Sequence, residues 1–186
     1  MSSISISITA RSDLKKRNFF RSLRFSALAT APAIMVAGLA VVCPMKIVLY
    51  NDSPSLPEGF WIATNQPEQH VGNVVAFHAP GAAIPFISAH LPQYLKIPII
   101  KPVAGVAGDE VCGSKKGFYV NGELLGMPLA RDSKGDPVQP WLGCQRLKPG
   151  QVVVFSNRIK NSYDSRYYGP VPVKNIISAY RPLWTW

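Results

Sequence analysis

Beyond residue 46, short apolar runs alternate with polar turns, and this pattern predicts strands rather than helices. The runs are rich in Val, Ile, Phe and Tyr and are bounded by Gly, Pro, Asn and Asp, as is typical of strands; they lie at residues 46–50, 71–79, 94–106, 117–125 and 151–157. No segment with helical periodicity longer than about two turns occurs after residue 50. The predicted fold class is therefore mainly β, with antiparallel strands.

The strongest signal for a hairpin is the Asn121-Gly122 pair, which separates Phe118-Tyr119-Val120 from Glu123-Leu124. A type I′ turn requires positive φ at both central residues, and Asn followed by Gly meets that requirement best. We therefore predict a two-residue turn at this position.

The N-terminal part has a different pattern, because residues 25–45 form an apolar run without any charge. As a helix this run would span about 31 Å, which matches a hydrocarbon core of about 30 Å. Residues 1–24 hold six Lys or Arg and a single Asp, so the positive-inside rule keeps the N-terminus in the cytoplasm and exports the chain beyond the apolar run. We predict a basic cytoplasmic N-terminus (1–24), a transmembrane anchor (25–45) and an exported domain (46–186). A cleaved signal peptide and a buried core helix are the alternatives for the apolar run.

The net charge of +10 raises the question of nucleic-acid binding. Half of the excess lies before residue 25, and the remaining positive charges are scattered, with no run longer than Lys115-Lys116. Aromatic residues do not alternate with them as they do on a base-stacking surface. The sequence therefore predicts no nucleic-acid partner.

Two of the three cysteines, Cys112 and Cys144, fall in the predicted exported domain, whereas Cys43 belongs to the predicted anchor. An oxidising compartment permits a disulfide between the two, and the alternative is a pair of separate small buried side chains. Neither cysteine has a CxxC partner or a nearby pair of histidines, so no metal site is predicted.

Most common catalytic motifs are missing. The chain has no GxGxxG, GxxxxGK[ST], HExxH or GxSxG motif, so the nucleotide-binding, P-loop, zinc-protease and α/β-hydrolase interpretations have no support. The three histidines stand in unrelated contexts, and nothing places one of them beside a serine; they are His70, His78 and His90.

A serine and a lysine are the better candidates. Ser55 lies in a stretch where Pro54, Pro57 and Gly59 forbid a helix or a central strand, so we expect it on a rigid extended loop. Lys101 lies within an apolar strand, and its predicted inward face would desolvate the ammonium and lower its pKa, as a general base requires. The alternative for Lys101 is a surface position on an edge strand.

Three ordered segments carry a resemblance to a known family. They are PSLPEGFW around Ser55, IIKPVAGVAGDEV at 99–111 and NSYDSRYYGPV at 161–171. In this order they resemble the sequence blocks of type I signal peptidases, and the segment from Asn51 to Trp61 is most similar to the TraF-type peptidases of conjugative plasmid transfer. The resemblance covers the predicted anchor and most of the exported domain. It implies a signal-peptidase-type antiparallel β domain behind one N-terminal transmembrane helix, in the bacterial inner membrane with the catalytic domain in the periplasm.

The resemblance also implies roles for individual residues. Ser55 matches the nucleophile and Lys101 the general base, while Asp164 matches the acidic residue of the last block, which we group with the catalytic residues. Ser53 resembles the hydroxyl that supplements the oxyanion hole, Ser162 the hydroxyl that orients the lysine, and Arg166 the basic residue that supports the site. The implied reaction is cleavage of a prepilin or another membrane-inserted preprotein through an acyl-enzyme. Water then hydrolyses the acyl-enzyme, or an amine attacks it, and attack by the amino group of the same pilin would give a cyclic product. No cofactor is implied, and the implied partners are the preprotein and inner-membrane lipid.

The chain departs from the family pattern at two positions. Pro102 comes after the lysine where a basic or polar residue is usual, and Ala107 replaces a proline in the turn before Gly108-Asp109. Two other functions remain open at this point. A non-catalytic, membrane-anchored component of a secretion or pilus assembly would keep the same fold, and a soluble self-cleaving repressor would share the chemistry but needs a DNA-binding segment in place of the anchor.

Overall fold

The computed structural model describes residues 47–66 and 69–186, which fold almost entirely into antiparallel strands. Eleven strands are present in this part of the chain: β1 Val48–Asn51, β2 Gly59–Thr64, β3 Val74–Phe77, β4 Ile99–Gly105, β5 Glu110–Ser114, β6 Gly117–Val120, β7 Glu123–Gly126, β8 Gly143–Arg146, β9 Gln151–Val154, β10 Val171–Pro172 and β11 Ile176–Thr185. The two α-helices are short, α1 Ile84–His90 and α2 Ser165–Tyr168, and 3₁₀ turns lie at Gly81–Ala83, Pro92–Leu95 and Val173–Asn175. The predicted mainly β, antiparallel class is confirmed for these residues.

Seven strands form the larger sheet, in the order β1-β2-β11-β3-β4-β9-β10. The long β11 pairs with β2 on one side and β3 on the other, which joins the start of the domain to its end. The β4 strand continues through Pro102, whose carbonyl accepts a hydrogen bond from the Phe155 N–H at 3.0 Å. The register shifts only between Val103 and Gly105. Proline at this position therefore leaves the strand intact.

The smaller sheet has four strands in the order β7-β6-β5-β8. Asn121 and Gly122 link β6 to β7 with φ of 51° and 81°, as the predicted type I′ turn requires. Cys112 and Cys144 face each other across β5 and β8 and are joined by a disulfide. The bond joins two cysteines that are 32 positions apart in sequence.

Apolar side chains from both sheets build the core. One cluster fills the centre of the larger sheet and includes Phe77, Ile87 and Val154. A second lies where the chain first enters the fold and includes Leu56, Trp61 and Ile100. A third packs between the sheets around Phe118 and Val153. The loop after β1 is therefore held against packed side chains.

No helix among the described residues is both long and apolar enough to cross a membrane. The predicted anchor, residues 25–45, lies outside them, as does the basic segment 1–24. The division of the chain into these parts therefore stays a prediction, while Ile47–Trp186 forms one compact unit.

Candidate active site

Ser55 lies on the loop between β1 and β2, and the side chain of Asn51 organises this loop. The Asn51 amide nitrogen donates to the carbonyl oxygens of Ser53 at 2.9 Å and Pro57 at 3.1 Å, and its Oδ1 accepts from the Ser53 N–H at 3.2 Å. The prolines at 54 and 57 keep the segment out of the sheet, so its backbone groups depend on these side-chain contacts. Ser55 therefore lies on a loop outside the sheet, as predicted, but residues 53–56 form a turn rather than an extended segment, because the Leu56 N–H donates to the Ser53 carbonyl at 3.3 Å. This turn leaves Ser55 only 1% exposed.

Lys101 lies in the middle of β4, opposite Val75 of β3. Its neighbours on the same face, Ile99 and Val103, are buried, and Lys101 itself is only 5% exposed. Burial lowers the pKa of Lys101 from 10.5 to about 8, because the ammonium loses its hydration. The nearby carboxylate of Asp164 raises this pKa, and Arg166 lowers it. The prediction of an inward-facing, desolvated lysine holds.

The structure brings Ser55 and Lys101 together. Lys101 Nζ donates a hydrogen bond to Ser55 Oγ. The Ser53 hydroxyl lies 2.9 Å from the same Oγ. A serine hydroxyl between a low-pKa lysine and a second hydroxyl has the arrangement that a lysine-activated nucleophile needs.

Asp164 and Arg166 form a buried ion pair behind this contact. Arg166 Nε lies 2.8 Å from Asp164 Oδ1 and Arg166 Nη2 lies 2.9 Å from Oδ2, and Asp164 is fully buried. The guanidinium also donates to the carbonyls of Ser162, Met127 and Lys160. Arg166 therefore ties two segments, one at Met127 and one at 160–162, to the Asp164 carboxylate. The negative charge of Asp164 raises the pKa of Lys101 electrostatically, without a hydrogen bond between them.

Ser162 is buried close to this ion pair, but its hydroxyl makes no hydrogen bond with any residue in the described part of the chain. The contact with Lys101 that the resemblance implied is thus not made in this structure, because Lys101 Nζ is directed at Ser55. The orienting role of Ser162 stays a prediction. Tyr168 resembles Ser162 in having a buried hydroxyl without a partner among the same residues.

Sequence reasoning missed Ser156. Its hydroxyl donates to the carbonyl oxygen of Ser55, and its N–H donates to Asp164 Oδ2 at 3.3 Å. Nothing in the sequence marks this residue, because it comes after an ordinary apolar strand and belongs to none of the three segments. Only the folded arrangement places it against Ser55.

The histidines lie away from Ser55. His70 and His78 are exposed, and His90 Nδ1 lies 3.1 Å from Asp136 and 3.8 Å from Asp132. These three side chains are close enough to hold an ion, although Asp132 Oδ1 already accepts the N–H groups of Lys134 and Asp136. In this structure the contacts of His90 with the two aspartates hold the loop at 131–137 against the end of α1.

Known proteins resemble this chain along most of its length. Residues 20–185 match the family described as signal peptidase, peptidase S26. The plasmid transfer protein TraF of Escherichia coli is 30% identical over 179 residues, which cover 90% of this chain and 98% of that protein. A probable conjugal transfer protein TraF of Sinorhizobium fredii is 31% identical over 150 residues, covering 73% and 76% of the two chains. A signal peptidase I structure from Enterococcus faecalis aligns at 18% identity with a TM-score of 0.35, over 63% of this chain and 98% of that one.

The family match and the TraF relatives define the class of protein. The chain belongs to the signal peptidase family S26, a family of serine peptidases. Within it the chain is of the TraF type, since relatives of that type align along most of its length.

Proposed function

We propose that this chain is a membrane-anchored serine endopeptidase in which Ser55 is the nucleophile and Lys101 the general base. The observation that carries the proposal is the hydrogen bond between Lys101 Nζ and Ser55 Oγ, made where both side chains are buried. A lysine with a pKa of about 8 holds a useful neutral fraction at neutral pH, whereas an ordinary lysine does not.

The positions of these atoms suit a defined sequence of steps. Neutral Lys101 Nζ takes the Ser55 proton as Oγ attacks the carbonyl carbon of the scissile peptide bond, and the resulting ammonium gives a proton to the leaving amine. This step leaves an ester between the substrate's acyl part and Ser55. We assign to the Ser53 hydroxyl, which lies 2.9 Å from Ser55 Oγ, the role of a donor to the oxyanion that forms during the attack.

The second half of the reaction decides the product. Lys101, neutral again, activates either a water molecule or an amine, and the acyl group is transferred from the ester to it. Water gives a linear product, whereas the amino group of the same polypeptide gives a cyclic one. We propose that the substrate is an exported prepilin or another signal-peptide-bearing protein of conjugative transfer, because the similar proteins carry the names plasmid transfer protein and conjugal transfer protein.

An apolar surface supports the proposed position beside the inner membrane, with the catalytic domain in the periplasm. The outward face of β1, β2 and β11 carries Tyr50, Phe60 and Trp184 as neighbours across the strands, and Trp186 lies beside Tyr50. Trp184 and Trp186 are 72% and 62% exposed. Aromatic side chains of this kind are enriched at membrane interfaces, and the described chain enters this surface directly after the predicted anchor ends at residue 45.

The test is co-expression of the full-length chain with a candidate prepilin, followed by mass spectrometry of the mature product. We expect the native chain to shorten the prepilin, and Ser55→Ala and Lys101→Ala to leave it intact. The exposed Ser133→Ala variant is the matched control and should process normally. A product lighter than the linear mature peptide by one water indicates cyclisation. Processing that persists in Ser55→Ala would falsify the proposal, and a native chain that processes no prepilin supports the non-catalytic assembly component instead.

A further inference from the structure

Ser156 stands between two parts of the candidate active site. It is buried two residues after the end of β9. Its N–H donates to Asp164 Oδ2 at 3.3 Å, and its hydroxyl donates to the carbonyl oxygen of Ser55. Asp164 is in turn held by the Arg166 guanidinium through both carboxylate oxygens. A continuous set of hydrogen bonds therefore leads from the buried ion pair to the backbone of the nucleophile.

The sheet also bonds the chain around Ser156 to the strand of the lysine. Val154 pairs with Val103 of β4, and the Phe155 N–H donates to the Pro102 carbonyl. Phe155 and Pro102 are the chain neighbours of Ser156 and Lys101. The segment 154–156 therefore bonds both the β4 strand that carries Lys101 and the carbonyl of Ser55.

The other support of Ser55 comes from its own loop and from core packing. Asn51 bonds the carbonyls of Ser53, Leu56 and Pro57, which fixes the shape of the loop, and Leu56 packs in one cluster with Ile100 of β4. Apart from Lys101 itself, the Ser156 hydroxyl is the group from another part of the described chain that hydrogen-bonds Ser55. Loss of that bond removes the constraint on the Ser55 carbonyl and lets the nucleophile move relative to the lysine.

We propose that Ser156 is a positioning residue that holds the Ser55 backbone, so that the Ser55 hydroxyl stays aligned with Lys101. The inference rests on the proposed peptidase function and adds a residue that acts through Ser55, without touching the substrate. A displacement of about 1 Å at a reacting group costs up to about 100-fold in rate. Ser156 should therefore affect kcat and leave KM nearly unchanged.

The test compares Ser156→Ala with Ser156→Thr and Ser165→Ala in the full-length chain in detergent, using a quenched fluorogenic peptide with Ala before the cut. Ser156→Ala removes the hydroxyl, and Ser156→Thr restores it. Ser165 is the matched control, because its buried hydroxyl accepts a hydrogen bond from the Val154 N–H and contacts neither Ser55 nor Lys101. We expect Ser156→Ala to lower kcat about 10- to 100-fold at constant KM, with most of the loss recovered in Ser156→Thr. Ser165→Ala should keep kcat within about threefold of the native value, since its hydroxyl bonds the Val154 N–H and neither Ser55 nor Lys101.

Equal losses in Ser156→Ala and Ser165→Ala, or a loss carried by KM, would overturn the inference in favour of a purely structural role. Should Ser156→Ala not fold, Ser156→Thr and Ser156→Val make an isosteric pair that differs in the hydroxyl, and equal kcat in that pair also overturns the inference.

A crystal structure of Ser156→Ala separates this inference from the proposed function. If the native chain cleaves nothing, the peptidase proposal fails, yet the structure still decides the role of Ser156: the inference requires the contact between Ser55 Oγ and Lys101 Nζ to be broken, and an undisturbed contact contradicts it.

Discussion

Lys101 Nζ donates a hydrogen bond to Ser55 Oγ although 46 positions separate the two residues in the chain. The contact joins a loop after the first described strand to the centre of β4, and the core around Leu56 and Ile100 packs beside it. Both partners are removed from water, which lowers the pKa of the lysine to about 8. Activity and stability should therefore both depend on this buried contact and on the groups that surround it.

Activity should depend on the neutral form of Lys101. Because the base works only without its proton, kcat/KM should rise with pH and level off above the pKa of about 8. Asp164 raises this pKa, so Asp164→Asn should move the acid limb of the profile to lower pH. A pH series of kcat/KM for both proteins measures the shift. An unmoved limb would contradict the assignment of that limb to Lys101.

The same lysine should make stability depend on pH in a defined window. In the unfolded chain its pKa returns to 10.5, so between about 8 and 10.5 the unfolded state holds a proton that the folded state has lost. The free energy of unfolding therefore rises with pH in this window and is lower below it, by about 3 kcal/mol in total. Lys101→Met lacks this contribution. Denaturant unfolding at pH 7 and pH 10.5 should show that the free energy of unfolding of the native chain rises relative to that of the variant. An equal difference between the two proteins at both pH values would refute the linkage.

Removing one partner of the Asp164–Arg166 pair should destabilise the fold strongly. Asp164→Asn keeps the shape but leaves the buried guanidinium without its counter-charge, which costs about 3–5 kcal/mol. Glu123→Gln, on an exposed strand, is the control for removal of a carboxylate. If urea unfolding shows that Asp164→Asn lowers the free energy of unfolding by less than about 1 kcal/mol, other groups stabilise the charge of Arg166.

The disulfide should support stability without taking part in the chemistry. Cys112 and Cys144 enclose a segment with a sequence separation of 32, for which the chain-entropy model gives about 3–4 kcal/mol. Both residues belong to the smaller sheet, whereas Lys101 lies in the larger one. The double Cys112→Ser/Cys144→Ser variant should unfold at lower temperature and keep its kcat. A large fall in kcat with the fold intact would mean that the smaller sheet helps to shape the site.

Much of the fold could be predicted from local patterns. Runs of Val, Ile and Phe between turn residues located β1, β3, β4, β6, β7 and β9, but not β2 or the long β11. The Asn121-Gly122 pair located a turn because its φ values have a steric cause. Pairing over long distances could not be predicted, since β11 returns to lie between β2 and β3 and no local pattern records this. The weak polar pattern of β8 carried no strand signal at all, as all four of its residues are exposed.

The candidate site divides in the same way. Ser55 and Lys101 were identified because prolines around a serine and a lysine within an apolar strand are locally unusual, and because three ordered segments resemble one family. Ser156 was missed, since a serine after a strand is ordinary until the fold brings it to the Ser55 carbonyl. The sequence also could not predict that Ser162 and Lys101 make no hydrogen bond, because this depends on the direction of the Lys101 side chain.

The exposed aromatic surface should lie against the bilayer. In full-length protein reconstituted into liposomes, brominated lipids should quench the fluorescence of Trp184 and Trp186. Trp61 is buried and should be protected. Trp184→Phe/Trp186→Phe should lose most of the quenching while remaining inserted. Quenching that is unchanged in this double variant would place another surface against the lipid.

The central claim is that Ser55 becomes acylated by the substrate, and mass spectrometry of the enzyme tests it most directly. Full-length enzyme is mixed with a peptide substrate, quenched in acid within one turnover and digested for peptide mapping. We predict an adduct on Ser55 whose mass equals that of the released N-terminal cleavage product, as the free acid, less one water. The adduct should be absent from Ser55→Ala and should form far more slowly in Lys101→Met. Product release without any adduct, or an adduct on a different residue, would contradict the claim.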